Sequence, residues 1–195
     1  MRQLILDLLP EAPPSFENFV AGSNAETLTG LAAWLAPANR ESLFFIWGDA
    51  GAGKSHLLQA CQAPYCDARL DPELEGLDPA TDFCAVDNVE ALGESGQIVL
   101  FNLINRLRAS AGRLLAAASV PPLRLTLRED LRTRLGSGLL YRLQPLSDIE
   151  KLTTLAELAS ARGLVLPPEA FNYFFSRAPR DMRSLMALLV AIDRY

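Results

Sequence analysis

The stretch "SLFFIWGDAGAGKSHLLQA", residues 42–60, decides the fold class. Leu43 to Trp47 form an unbroken apolar run rather than an alternating one, the pattern of a strand buried on both faces of a parallel sheet. The run meets Gly48, and "GDAGAGKS" (48–55) satisfies the G-x-x-x-x-G-K-[ST] pattern with a strand before it and helical residues after it. Gly48, Gly51 and Gly53 let backbone N–H groups curl around phosphate oxygens, and the start of the following helix adds donors. In such a loop Lys54 reaches the β- and γ-phosphates and the Ser55 hydroxyl ligates Mg2+. A glycine-rich turn that binds nothing would need neither the lysine nor the flanking elements.

A second buried run, "FCAVD" (83–87), ends on Asp87. At the end of a neighbouring parallel strand, that carboxylate is expected to hold Mg2+ through water. Asn88 follows at the position where nucleotide hydrolases usually place a second, water-activating acid. An amide cannot accept a proton as a carboxylate does, and orients a water only weakly. The pair therefore supports nucleotide binding more than fast turnover in the same pocket.

Around these motifs, strands and helices alternate to about residue 146, and only helices follow, a pattern for an α/β domain with a small helical domain. Residues 1–15 read as a tail and linker, because "PEAPP" blocks a helix and favours extended chain. "SNAETLTGLAAWLA" predicts a helix capped by Ser23 or Asn24. "QIVLFNLINRLRAS" predicts an amphipathic helix with Ile98, Phe101, Leu103 or Ile104, and Leu107 inward. Ser147 stands three positions before Glu150, the spacing of a capping box, and Gly163 stops that helix. "PPEAFNYFFSRA" and "PRDMRSLMALLVAIDRY" predict two further helices. The expected domains are 16–146 and 147–195.

With 23 acidic against 18 basic residues the net charge is -5, which does not suit a main surface wrapped around nucleic acid, although a local basic patch stays compatible. Cys61, Cys66 and Cys84 lack paired ligand spacing and read as buried thiols in a reducing compartment. "LILDLLP" is too short and too acidic for a signal peptide, and no segment has the length to span a bilayer, so the expected location is the cytoplasm.

From Arg2 to Tyr195 the chain resembles AAA+ ATPases of the DnaA branch, in particular regulatory members without a DNA-binding extension. The resemblance rests on "RQLILDL", "FENFVAGSNAE", "WGDAGAGKSHLLQA", "AVDNVEAL", "VPP", "DLRTRLGSGLLYRLQPLSDIEKL" and "RDMRSLMALLVAIDR". It implies a P-loop αβα sandwich with a parallel sheet and an all-helical lid, holding ADP or ATP with Mg2+. It also implies that Gln3, Leu4, Leu6 and Leu8 bind the DNA polymerase III sliding clamp (beta subunit); the alternative is that "LILDL" packs as a strand on its own domain.

The same resemblance makes Arg134 an arginine finger for ATP held by DnaA, a task that suits the fixed fork of a guanidinium. Arg183 would sense phosphate from the lid, and Ser119 takes the polar position ending the fourth core strand. Phe19 either stacks near the adenine or caps the core. Two departures stand out: the interval between Ser55 and Asp87 is short, and the chain stops where family members continue with one more helix. The implied function is to stimulate DnaA's ATP hydrolysis and so prevent re-initiation of replication. Contact with DNA and the nucleoid would run only through the clamp, with no membrane association and a possible homo-oligomer. The competing function is an autonomous P-loop ATPase acting as a loader or adaptor.

Overall fold

The computed structural model describes residues 13–164, 167, 170 and 181–192. Two compact units emerge, one spanning Pro14–Pro145 and one beginning at Leu146.

The first unit is built on five strands: β1 (Leu43–Trp47), β2 (Tyr65–Asp67), β3 (Phe83–Asp87), β4 (Arg113–Ala118) and β5 (Leu139–Arg142). They form one sheet in the order β2-β3-β4-β1-β5, and every pairing is parallel. Its helices are α1 (Ala25–Leu35), α2 (Lys54–Ala60), α3 (Glu94–Ser110) and α4 (Glu129–Leu135).

Because successive strand residues point to opposite faces, β1 serves two cores. Leu43 and Phe45 pack with Leu100, Leu103, Ile104 and Leu107 of α3 and Leu131 and Leu135 of α4. Phe44 and Ile46 pack with Leu31 and Trp34 of α1 and Leu57 and Leu58 of α2. This double burial is the physical reason for the unbroken apolar run. The result is a helix–sheet–helix sandwich.

One expectation about the sheet is corrected. β3 is not the neighbour of β1, because β4 lies between them: Phe45 is in register with Ala116, and Ala116 with Val86. Asp87 therefore ends a strand roughly 10 Å from the strand that feeds the phosphate loop, two inter-strand spacings away. The small side chains Ala116, Ala117 and Ala118 carry β4 through this fully buried central position.

Two local expectations are also corrected. Asn24 is the N-cap residue of α1 but makes no capping bond. Its side chain instead donates to the Gln144 carbonyl at 2.8 Å and accepts from the Gln144 N–H at 2.7 Å, tying the start of α1 to the chain beyond β5. On α3, Ile98 is 44% exposed rather than inward. The buried stripe runs Leu100, Leu103, Ile104, Leu107, and Ile98 lies two residues before it, about 200° round the helix axis.

In the second unit, α5 (Asp148–Ala161) and α6 (Met182–Ile192) bury Leu155, Ala159, Leu185 and Leu189 together. The expected capping box is present: Ser147 Oγ accepts from the Glu150 N–H at 3.2 Å, and the Ser147 N–H donates to Glu150 Oε2 at 2.7 Å. Apart from Pro167 and Ala170, the helix expected in "PPEAFNYFFSRA" lies outside the described residues. No described helix is long and apolar enough to cross a membrane.

Candidate nucleotide site

The loop after β1 is shaped by glycines under two constraints. Gly51 and Gly53 have φ of 76° and 97°, left-handed values that side chains rarely adopt. Gly53 is also crowded: a Cβ there would sit 2.7 Å from the Phe19 ring, and one on Gly48 would run into the Leu143 carbonyl oxygen. The Gly48 N–H donates to the Ala118 carbonyl at 3.3 Å, anchoring the loop to β4.

Lys54 Nζ donates to the Gly48 and Asp49 carbonyls at 2.8 and 2.9 Å, so the ammonium lies against the loop it belongs to. Burial pulls its pKa below the ordinary lysine value, opposed by the charges of Asp87 and Glu90. Ser55 is exposed at the start of α2.

Phe19 covers Gly53, packs on the α1–α2 side of the core, and meets His56 edge-on at 5.4 Å between ring centroids. His56 Nε2 in turn hydrogen-bonds the Ser15 carbonyl at 2.9 Å. The segment before α1 is thus clipped to the phosphate-loop helix through two adjacent contacts. Phe19 packs against the core from this position, above the phosphate loop.

Asp87 is fully buried. Its Oδ2 accepts from the Tyr65 hydroxyl at 3.0 Å and its Oδ1 from the Asn88 N–H at 2.8 Å. Desolvation first, and the Asp87 charge second, push the Tyr65 phenol above its usual range, so it stays a donor. Asn88 has φ 53° and ψ 45°, a left-handed conformation in which asparagine is enriched. Its side-chain Nδ2 donates to Asp67 Oδ1 at 2.8 Å. An asparagine thus has a local purpose here: it turns the chain after β3 and binds the end of β2.

Glu90 follows on a short 3-10 turn, Val89–Ala91. Its Oε1 accepts from the Ser119 N–H at 3.1 Å. Ser119 engages Glu90 through its backbone, while the residue itself is exposed beyond the end of β4. Tyr65, Asp67 and Glu90 are site residues that the sequence motifs did not single out. The acid three positions after Asp87 was the one visible clue, and only the fold links it to Ser119.

Ser55 and Asp87 are hard oxygen donors of the kind Mg2+ takes, and the described residues contain no group of three or more His, Cys, Asp or Glu able to hold a metal by themselves. This donor set fits an ion that arrives with nucleotide phosphates and keeps several waters. Ser55 and Asp87 would hold it, and its charge would neutralise phosphate oxygens.

On α4, the Arg134 guanidinium lies 6.0 Å from the Phe101 ring centroid, in a shallow groove with Arg128, Glu129, Asp130 and Thr133. Asp130 is committed to Arg128 at 2.8 Å, and Arg134 has no ion pair among the described residues. Arg183 belongs to α6, but its side chain lies outside the described residues, as do Gln3, Leu4, Leu6 and Leu8. Cys61, Cys66 and Cys84 are free thiols, the last two buried.

The family model for the bacterial DnaA ATPase domain matches residues 11–74, and the model described as Hda, lid domain, matches residues 148–195. Among solved structures the chain is similar to AMPPCP-bound DnaA from Aquifex aeolicus, at 21% identity over 95% of this chain and 66% of that one, with a TM-score of 0.73. It is similar to domain III of the Thermotoga maritima initiation protein DnaA, at 22% identity over 93% and 88%, with a TM-score of 0.70. The Thermotoga maritima RuvB branch migration motor gives 17%, 91%, 63% and 0.61 in the same order. These identities speak for the fold alone, and the chain spans about two thirds of the length of the Aquifex protein. With a DnaA-type ATPase match over residues 11–74, an Hda-type lid match over residues 148–195 and a parallel sheet in the order β2-β3-β4-β1-β5, the chain is a DnaA-related AAA+ protein.

Proposed function

We propose that this chain is a regulatory AAA+ protein that stimulates ATP hydrolysis by DnaA and so restrains re-initiation of replication. An adenine nucleotide, resting as ADP with Mg2+, occupies the loop formed by Gly48, Gly51, Gly53, Lys54 and Ser55. Gln3, Leu4, Leu6 and Leu8 tether the chain to the DNA-loaded sliding clamp, and Arg134 is presented to ATP held by DnaA. The observation that carries this reading is the state of Arg134: its guanidinium rests on an aromatic face with no ion pair among the described residues, while the nearby Asp130 is neutralised by Arg128. A guanidinium so placed is available to spread charge over γ-phosphate oxygens as they transfer. The AMPPCP-bound DnaA of the same fold supports nucleotide binding at the loop. Contact with DNA is indirect, in keeping with a net charge of -5.

The decisive experiment is a reconstituted assay with loaded clamp and ATP-bound DnaA. Wild type raises DnaA's hydrolysis; Arg134→Ala loses stimulation by a factor on the order of 10³ while still binding the clamp. Unchanged stimulation by Arg134→Ala refutes the finger. Deleting residues 2–8 abolishes clamp binding and leaves nucleotide affinity intact; collapse of both shows that the segment belongs to the fold. Calorimetry with ADP and Mg2+ tests the pocket, since Lys54→Ala should lose the binding heat. A second reading, an autonomous ATPase acting as a loader or adaptor, draws on the placement of Glu90.

A further inference from the structure

Asp87 ends a strand two places away from β1, yet the helix that crosses the sheet brings it to the phosphate loop. α2 carries the chain from β1 to β2, and in the order β2-β3-β4-β1-β5 that crossing lies over β4 and β3. Leu57 and Leu58 of α2 accordingly share a core with Ala85 of β3, and Tyr65 of β2 packs against the same core. Side chains two apart on a strand point to one face, so Asp87 points to the face of Ala85, which is the face that α2 covers. The Lys54 ammonium feels its charge.

Tyr65 joins this acid to the helix. It stands opposite Ala85 in the parallel ladder, two residues before the Asp67–Asp87 pair. Its hydroxyl donates to Asp87 Oδ2 at 3.0 Å, and the Gln59 side chain of α2 hydrogen-bonds the same phenol. Gln59 follows Ser55 by four residues, so the two stand on one stripe of α2, about one turn apart. Ser55 and Asp87, the oxygen donors suited to Mg2+, are thus braced one turn further along α2 by Gln59 and Tyr65. With the Asn88 N–H on Oδ1 at 2.8 Å, each Asp87 oxygen accepts one of these bonds and keeps a second lone pair. The Tyr65 bond fixes the direction in which those remaining pairs face.

We propose that Tyr65 is a positioning residue for the metal acid: linked to α2 through Gln59, its hydroxyl sets the rotation of the Asp87 carboxylate so that Asp87 and Ser55 serve one Mg2+ ion carried by the nucleotide. The proposal rests on nucleotide binding at the phosphate loop and goes beyond it by giving Tyr65 and Gln59 a part in selecting the metal-loaded nucleotide. Tyr65 itself touches neither the ion nor the phosphates. Removing a group that hydrogen-bonds a metal-binding carboxylate typically weakens metal affinity by about 10- to 100-fold. Only the metal-loaded nucleotide uses Asp87 in this way, so the loss is confined to that form.

The test measures ADP binding to the full chain by calorimetry, with Mg2+ and again with EDTA, and the Mn2+ affinity of the ADP complex by electron paramagnetic resonance. Wild type binds ADP more tightly with Mg2+ than with EDTA. In Tyr65→Phe the advantage given by Mg2+ shrinks about tenfold and Mn2+ is held about tenfold more weakly, while affinity in EDTA stays within about twofold. Gln59→Leu leaves the Tyr65–Asp87 bond in place and moves both quantities the same way by a smaller factor; it decides the matter alone should Tyr65→Phe fail to fold. Equal metal dependence in wild type and variants overturns the proposal, as does a wild type that binds ADP equally well with Mg2+ and with EDTA. An equal loss of ADP affinity in both conditions also overturns it, because that is what a merely structural Tyr65 gives. A wild type that binds no ADP in either condition overturns the nucleotide reading itself, which separates the two failures.

Discussion

The side-chain amide of Asn88 donates to Asp67 Oδ1 at 2.8 Å, joining the turn after β3 to the end of the edge strand β2. The contact needs a donor on one side and a carboxylate on the other. Asn88→Asp keeps the size and tolerates the left-handed backbone, but sets two acids face to face. Expected is a loss of roughly 1–2 kcal/mol at neutral pH, read by urea denaturation. Like-charge contact raises the folded-state pKa of the new pair above its unfolded value, so the loss shrinks as pH falls through the carboxylate range. A pH-independent loss would mean that the two side chains do not meet.

Tyr65→Phe removes the hydroxyl that donates to Asp87 Oδ2 and leaves a buried carboxylate oxygen short of a partner. The expected cost is about 1–3 kcal/mol in thermal or urea unfolding. The folded-state pKa of the phenol is raised, so its contribution is complete below the unfolded tyrosine value and fades only above it. The difference between wild type and variant should therefore be flat from neutral to mildly alkaline pH.

Gly53→Ala faces two separate obstacles, a φ of 97° and the Phe19 ring 2.7 Å from the new Cβ. The backbone alone should cost about 1–2 kcal/mol. Combining it with Phe19→Ala relieves the clash and not the dihedral, so the double variant should show a coupling energy in a double-mutant cycle of unfolding. Strict additivity would remove Phe19 from above the loop.

Burial pushes the thiols of Cys61, Cys66 and Cys84 up to about 12, 11 and 12. Thiolate is the reactive form, so Ellman's reagent at pH 8 should label the native chain slowly and the urea-unfolded chain at once. With folded values raised above 9.0, the associated stability is complete below that pH and is lost as pH rises through the folded values. Rapid labelling of Cys66 or Cys84 in the native chain would contradict their burial.

Ser147→Ala breaks the capping box at the start of α5 and should cost about 1 kcal/mol. Amide exchange should rise first in the opening turn of α5. Unaltered protection there would show that Glu150 alone holds the helix start.

Features carried by contiguous residues were legible without coordinates. The phosphate loop is one run from Gly48 to Ser55, the capping box spans Ser147 to Glu150, and the apolar runs of β1 and β3 announce burial on both faces. Each follows from local periodicity or from a side chain reaching its own backbone. What the tertiary structure decided are relationships between distant segments. The insertion of β4 between β1 and β3 depends on which pairing buries both faces of the whole sheet, and no single strand encodes that choice. Asn24 leaves its cap for Gln144, Tyr65 finds Asp87, and Glu90 finds Ser119 because the fold offers partners that a sequence window does not contain. The sequence by itself determined that a phosphate loop and an acid on a buried strand are present. Only the folded sheet decided which side chains surround them, since hydrogen-bond partners are chosen by distance in space and not by spacing along the chain.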